Sequence, residues 1–239
     1  MTSNITIEDT LIADSGPVCL YFQRNGQRIS PWHDLPLWAD RKAEILNMVV
    51  EIPRGANAKM EITKEITFNP IKQDIRDGKP REVADVPPFQ GYPCNYGAIP
   101  QTWEDPTAID PYTGVVGDDD PLDICEIGTG VAQCGEVKKV KPLGAFVVLD
   151  EGSTDWKIIA VDVTDAHAES LADIQDVETQ FPGFLESLKT WYCVYKVPDG
   201  RSPNRLALDG RLMNRQFALR LIGHCHEAWK PRKGFPNCD

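Results

Sequence analysis

Positive charge is scarce in this chain: 25 Lys and Arg stand against 36 Asp and Glu, for a formal net charge of -11. Such a surface repels polyanions at long range, so no nucleic-acid partner is expected. A small anion is not excluded, because metal ions or a few local Lys and Arg residues can reverse the potential inside one cleft. No apolar run approaches the roughly 18 residues of a membrane-spanning helix, so no membrane partner is expected either. The opening MTSNITIEDTLIAD lacks both the basic stretch of a signal peptide and the arginines of a transit peptide, and a soluble, cytoplasmic protein is the expectation. The seven cysteines, Cys19, Cys94, Cys125, Cys134, Cys193, Cys225 and Cys238, are odd in number and contain no C-x-x-C pair. That pattern argues against a disulfide framework or a zinc ribbon and for reduced thiols. Internal repeats, low-complexity tracts and linkers are also missing. With 239 residues and 41% hydrophobic content, the chain reads as one domain over 1–239, with a hairpin region 1–45 and a tail 231–239 at its periphery.

What is present in the front half is β patterning. CLYFQR and QRIS flank Asn25-Gly26, a pair suited to the positive φ angles of a two-residue hairpin. NMVVEIP alternates, and in NAKMEITKEITF a period of two puts Lys59, Glu61 and Thr63 on one face and Met60 and Ile62 on the other. Asp77-Gly78 marks a turn, with Arg81 at the start of a returning strand. PLGAFVVLD and DWKIIAVDV are two apolar strands joined by a polar EGST turn, so Asp150 ends one strand, Asp155 precedes the next, and Lys157 follows on the same side. Helices come late. One is expected through DVETQFPGFLESLKTW with Pro182 in its first turn, and another from about Met213 to Trp229, with a stripe of Phe217, Leu221 and Ile222, stopped by Pro231. Many short strands with a few late helices suggest a mainly β protein with peripheral helices, α+β in class, built on a small closed barrel.

The segment GDDDPLDICEIG, residues 117–128, crowds Asp118, Asp119, Asp120 and Asp123 beside a proline. An acidic turn needs no ligand, since Asp and Pro are ordinary turn residues. An EF-hand loop fails on position: counted from Asp118, the sixth residue is Asp123 rather than Gly and the twelfth is Thr129 rather than Glu. A site for hard divalent cations fits if an extended start sends Asp118 and Asp120 to one side and Pro121 turns the chain so that Asp123 joins them. Other charged residues favour this third explanation. Glu51, Glu61, Asp150 and Asp155 fall at or near strand ends, close in sequence to Lys59, Arg81, Lys157 or Tyr195-Lys196. Acids facing cations suit a metal-bound phosphate.

Taken together, EIPR (51–54), NAKMEI (57–62), GYPCNYGAIPQTWEDP (91–106), GDDDPLDICEIG, LDEGSTDWK (149–157) and YKVPDG (195–200) resemble the family I soluble inorganic pyrophosphatases, and most closely their eukaryotic, usually homodimeric type. The match runs in collinear order over roughly residues 45–230. The resemblance implies a five-stranded OB-like closed barrel with flanking helices. It implies hydrolysis of pyrophosphate, taken as its Mg²⁺ complex, to two orthophosphates, with several Mg²⁺ per site and Mn²⁺ as a possible substitute. It assigns Asp118, Asp123 and Asp155 to a first metal, Asp120 and Asp123 to a second, and Glu61, Asp150 and Asp155 to metals arriving with substrate. It gives Lys59, Arg81, Tyr96, Lys157, Tyr195 and Lys196 the phosphates, with Glu51 and Tyr92 lining the site. A metal-bridged water would attack, with Asp120 as general base. Three positions depart from the pattern or carry no role. Gly55 stands where the dimeric type often has an aromatic residue near the subunit contact, Ser153 stands where Glu is frequent, and Asp119 has no ligand role.

Other signals are weaker. His224 and His226, two apart, point to different faces of a helix and do not form a metal clip. His33 and His167 read as structural or exposed, while Trp103 and Trp156 are placed to support the site from behind. Two rival functions are a non-catalytic OB-type binding module and a broader metal phosphohydrolase.

Overall fold

The computed structural model describes residues 5–11 and 18–231; Cys238 and the expected tail beyond Pro231 lie outside the described residues. Five strands form a ring: β1 (Ile45–Ile52), β2 (Asn95–Ala98), β3 (Asp123–Glu126), β4 (Val137–Asp150) and β5 (Ser153–Asp162). β1 pairs antiparallel with β2, β2 with β3, and β4 with β5, while β3 runs parallel to β5. The ring closes because the start of β4 also pairs with β1, Val137 opposite Val49 and Val140 opposite Leu46. One strand serves both neighbours through a register shift between Pro142 and Gly144, where proline has no N–H to offer the ladder. The expected closed barrel is therefore present.

Its strands are buried on both faces, which explains their nearly continuous apolar sequence. Along β4 and β5, Phe146, Val148, Ile159 and Val161 pack with Trp191, Leu188 and Val177, while Ala145, Val147, Trp156 and Ile158 pack with Phe217, Leu221 and Ile222. The helices beneath these contacts are α1 (Ile174–Gln180), α2 (Phe184–Val194) and α3 (Arg215–Trp229). α1 begins at a capping box formed by Asp173 and Asp176. The helix expected to start at Phe181-Pro182 is α2, but Pro182 lies ahead of its first turn because Gly183, at a left-handed φ of 77°, is the N-cap; α1 precedes it as a separate helix with no counterpart in the sequence reading. α3 starts two residues later than expected, at the Asn214 cap, whose side chain accepts from the Phe217 amide at 2.9 Å. Pro231 follows its end.

A second sheet runs Ile5–Leu11, Val18–Arg24, Ile71–Gln73, Met60–Ile62, with Gln27–Ile29 paired to Val18–Arg24. The Asn25-Gly26 hairpin forms as expected, with φ of 55° and 76°. The long alternation over residues 57–68 does not persist. After Ile62 the chain loops, Asn69 Nδ2 donates to Thr63 O at 3.0 Å, and Thr63 is buried rather than sharing the charged face with Lys59 and Glu61. The β4–β5 turn is tighter than EGST: Glu151 (φ 49°) and Gly152 (φ 96°) suffice, and Ser153 pairs with Asp150. Asp155 consequently lies within β5, opposite Val148, not ahead of the strand. Arg81 sits just past the Lys79–Pro80 strand, and its amide donates to Asp74 O at 2.8 Å.

Gly97, between β1 and β3 in the ring, has no room for a side chain: a Cβ there would lie 1.9 Å from Val49 O. Gly97→Ala should cost about 3 kcal/mol and lower the Tm by roughly 6–12 °C. Gly130→Ala, with nothing within 4 Å of the added carbon, should leave the Tm almost unchanged. Thermal denaturation of the two variants checks this.

Candidate active site

The parallel pairing of β3 and β5 sets Asp123 opposite Lys157, and the period of two along β5 sets Asp155 beside it. Lys157 Nζ bonds Asp123 Oδ2 and Asp155 Oδ1. On β2, Tyr96 OH donates to the same Asp123 Oδ2 at 2.5 Å. Lys157 is buried, 5.5 Å from the Tyr96 ring centre and 5.3 Å from that of Tyr192. Burial opposes its charge, but Asp123 and Asp155 hold its pKa well above the usual lysine value.

The acidic loop enters from the same end. Gly117 bridges to Thr154, Asp119 takes a left-handed φ of 71°, and the Leu122 amide is pinned on Thr102 Oγ1 at 2.9 Å. Asp120 faces a cleft of about 360 Å³ that Glu51, Lys59, Glu61, Tyr96 and Asp123 also line. Asp118 turns toward Asp155 and Glu104, and the three can present ligand atoms within 4.8 Å of one another. Burial, then Asp155, Asp120 and Asp123, push the Asp118 carboxyl up to about 9. Asp155 is raised to about 7 by burial, against the pull of Lys157. Glu51, whose Oε1 accepts from the Ile62 amide at 2.7 Å, is pushed up to about 8 by burial, with Lys59 opposing. All three shifts describe carboxylates short of countercharge, which a divalent cation would supply.

Cations occupy the facing wall. Lys59 Nζ lies 3.4 Å from Glu61 and 5.4 Å from the Tyr96 ring centre. Arg81 Nη1 is held by Asp74 at 3.1 Å, while its Nε and Nη2 are buried without a hydrogen-bond partner. Tyr92 packs on Tyr96 and Trp191, and Tyr195 stacks on Trp191 at 4.6 Å. Burial raises the Tyr92 hydroxyl to about 12, keeping it a neutral donor. Lys196 binds both oxygens of Asp150, at 2.6 and 2.5 Å, but this pair stands to one side: Lys196 borders a separate cavity with Arg201 and Arg205. The structure thus gathers Asp118, Asp120, Asp123, Asp155, Glu51, Glu61, Lys59, Tyr96 and Lys157 tightly, with Arg81, Tyr92, Tyr195 and the Asp150–Lys196 pair around them.

Three contributors carry no role in the sequence analysis. Lys64 Nζ reaches Asp120 Oδ1 at 2.9 Å and Asp119 Oδ2 at 3.1 Å, because the loop after Ile62 reverses the face its parity predicts. Asp74 anchors Arg81. Glu104 lies within a quoted motif, but nothing in its spacing points it at the acids. Trp103 does back the site, donating to Asp119 Oδ1 at 2.8 Å, and Asp119 is occupied by that bond and Lys64. Two of the four histidines are engaged elsewhere: His226 Nδ1 lies 2.7 Å from Gln101 O, and His33 accepts from Trp229.

A sequence model of the family described as inorganic pyrophosphatase matches residues 48–230. The chain belongs to the inorganic pyrophosphatase family. It is 52% identical over 211 residues to the inorganic pyrophosphatase of Candida albicans, covering 88% of this chain and 73% of that protein. The inorganic pyrophosphatase structure from Schistosoma japonicum superposes with a TM-score of 0.91 at 44% identity, covering 96% of this chain and 80% of that one. The type I enzyme of Toxoplasma gondii gives 0.88 at 34% identity, covering 96% of this chain and 100% of that one. These relatives bear out the eukaryotic family I type and the OB-like barrel, and identify the chain as a hydrolase.

The raised carboxyls fix the sign of a pH effect. Groups with folded pKa values of about 7 to 9, against about 4 unfolded, stabilise fully only below the unfolded value. That contribution is lost as pH climbs toward the folded values. Calorimetry in EDTA should show the Tm falling between pH 5 and 9, and millimolar Mg²⁺ should flatten the fall. A Tm in EDTA that rises over this range would contradict the assignment.

Proposed function

We propose that the protein hydrolyses inorganic pyrophosphate, presented as its Mg²⁺ complex, to two orthophosphates in this cleft. The observation that carries the proposal is the gathering of buried, under-compensated carboxylates at one end of the barrel, with a buried guanidinium beside Tyr92 and Tyr195 that keeps two partnerless nitrogens. Cations meeting the acids and phosphate oxygens meeting Arg81 would satisfy both sides at once.

The acids fit hard divalent ions: Asp118, Asp123 and Asp155 would hold one, Asp120 and Asp123 another, and Glu61, Asp150 and Asp155 those arriving with substrate. Mg²⁺ is the proposed ion, with Mn²⁺ able to replace it. When bound, such ions neutralise the anion and make water a competent nucleophile at neutral pH. The chain's own groups do the rest. Asp120 lines the cleft with Oδ1 held by Lys64 at 2.9 Å, and its carboxylate accepts the proton of the attacking water; its backbone carbonyl accepts from the Glu104 amide at 2.9 Å. Arg81 Nε and Nη2, which have no hydrogen-bond partner, donate to a phosphoryl oxygen. Lys59 and Lys157 stabilise charge building on the departing phosphate, with Tyr96, Tyr195 and Lys196 as further donors; losing one such donor costs about 10²- to 10³-fold. Glu51 and Tyr92 shape the wall behind Lys59.

A homodimer is a further proposal, carried by the resemblance to the eukaryotic type; a single-domain organisation over 1–239 and a cytoplasmic location are proposals beside it. Among the described residues no helix is long and apolar enough to cross a membrane.

Phosphate release from pyrophosphate, ATP and a simple monoester, with and without Mg²⁺, separates this function from its rivals. Mg²⁺-dependent release chiefly from pyrophosphate is expected; equal release from all three favours a broader phosphohydrolase, and none favours a binding module. Asp120→Asn should cut kcat by about 10²- to 10⁴-fold with the metal-free Tm preserved. A near-wild-type rate would remove Asp120 from the role of base.

A further inference from the structure

Lys157 brings three N–H donors into a pocket that leaves its side chain 4% exposed. Two of them are taken by Asp123 Oδ2 and Asp155 Oδ1. Among the described residues no third acceptor lies within hydrogen-bond distance of Nζ. The ammonium instead lies over two aromatic rings, 5.5 Å from the centre of Tyr96 and 5.3 Å from that of Tyr192. Both fall inside the roughly 6 Å over which a ring quadrupole attracts a cation, and the attraction is strongest where water is excluded. Tyr96 already has a part in the site. Tyr192 has none: it stands on α2, outside the barrel and outside the motifs that carry the resemblance.

The Tyr192 ring is fixed where it meets Lys157. Its hydroxyl lies 3.1 Å from Cys125 Sγ on β3, two residues past Asp123 and on the same face of that strand. Phe146 and Trp191 meet the ring in T-shaped contacts at 5.6 and 5.0 Å, and Asn204 Nδ2 donates to its backbone carbonyl at 3.2 Å. Burial, then the Cys125 and Cys94 thiols, push the hydroxyl pKa well above the usual tyrosine value. The ring therefore stays neutral and acts on the ammonium through its π face.

We propose that Tyr192 is a positioning residue for the hydrolysis, its π face holding the desolvated Lys157 ammonium at the place where charge builds on the departing phosphate. The inference rests on the role given to Lys157 above. A metal ion bound by Asp123 or Asp155 draws on the same carboxylate charge that holds the ammonium, and the ring face then keeps Lys157 in place.

Pyrophosphate hydrolysis at saturating Mg²⁺ tests this in wild type, Lys157→Gln, Tyr192→Phe, and proteins carrying mono-, di- and trifluorinated phenylalanine at position 192. Fluorine drains the ring quadrupole while leaving its shape almost unchanged, so a role in packing alone does not respond to it. Tyr192→Phe keeps the ring, gives up the bond to Cys125, and should retain kcat within about threefold. Along the fluorinated series kcat should fall stepwise, reaching about 10-fold below Tyr192→Phe for the trifluorinated protein. KM should stay within about twofold and the Tm should not change. A flat series alongside a Lys157→Gln protein that has lost activity would overturn the inference and leave the role of Lys157 standing. Wild-type kcat in Lys157→Gln would remove that role and the inference with it. A Tyr192→Phe protein that falls as far as Lys157→Gln would assign the effect to the hydroxyl rather than the ring face, and would overturn the inference as well.

Discussion

The Lys157 ammonium, wedged between Asp123 and Asp155, is the contact on which the rest of the site depends. It joins the two barrel strands whose parallel pairing creates the site, and it supplies countercharge to acids that burial would otherwise drive neutral. One ammonium is not enough. Asp118, Glu104 and Glu51 remain desolvated with their carboxyls pushed upward, so the folded chain carries an electrostatic deficit that protons relieve at low pH and added cations relieve at higher pH. A buried ion pair of this kind is weak evidence for stability, because desolvation offsets much of its attraction. Its value lies in geometry: Lys157 fixes Asp123 on β3 and Asp155 on β5 at one point.

The scaffold tolerates this deficit because the barrel is closed. β4 turns a corner at Pro142–Gly144 and pairs on both sides, leaving no free edge in the ring. Two apolar cores, one under α1 and α2 and one under α3, clamp the same strands from opposite faces. Rigid strands carry Tyr96, Asp123, Asp155 and Lys157. Residues outside the ring strands carry further acids and cations, among them Asp120, Lys64 and Arg81. Stability and reactivity are thus divided between strand and loop.

Much of this was legible in the sequence, for identifiable reasons. The barrel strands announce themselves as apolar runs, and the two-residue turns at Asn25-Gly26 and Asp77-Gly78 have a local chemistry that tertiary structure does not override. The acidic residues of the site were visible as a charge cluster that no turn requires. What escaped lies where long-range contacts decide. The polar EGST stretch contracted to Glu151-Gly152 because Ser153 finds a partner across the hairpin in Asp150. The alternation after Ile62 broke because Asn69 folds back on Thr63, and this is why Lys64 reaches Asp120 while Thr63 is buried. Glu104 was hidden because its partners, Trp156 and the acidic loop, are distant in the chain.

The central claim is that divalent ions and a diphosphate together complete an unbalanced ring of acids and bases. The most direct measurement is anomalous scattering from crystals grown with Mn²⁺ and a non-hydrolysable pyrophosphate analogue. The account predicts manganese peaks within coordination distance of Asp118, Asp123 and Asp155, with Arg81 and Lys157 turned onto the analogue's oxygens. An analogue bound in the cleft with no manganese among these carboxylates would contradict it.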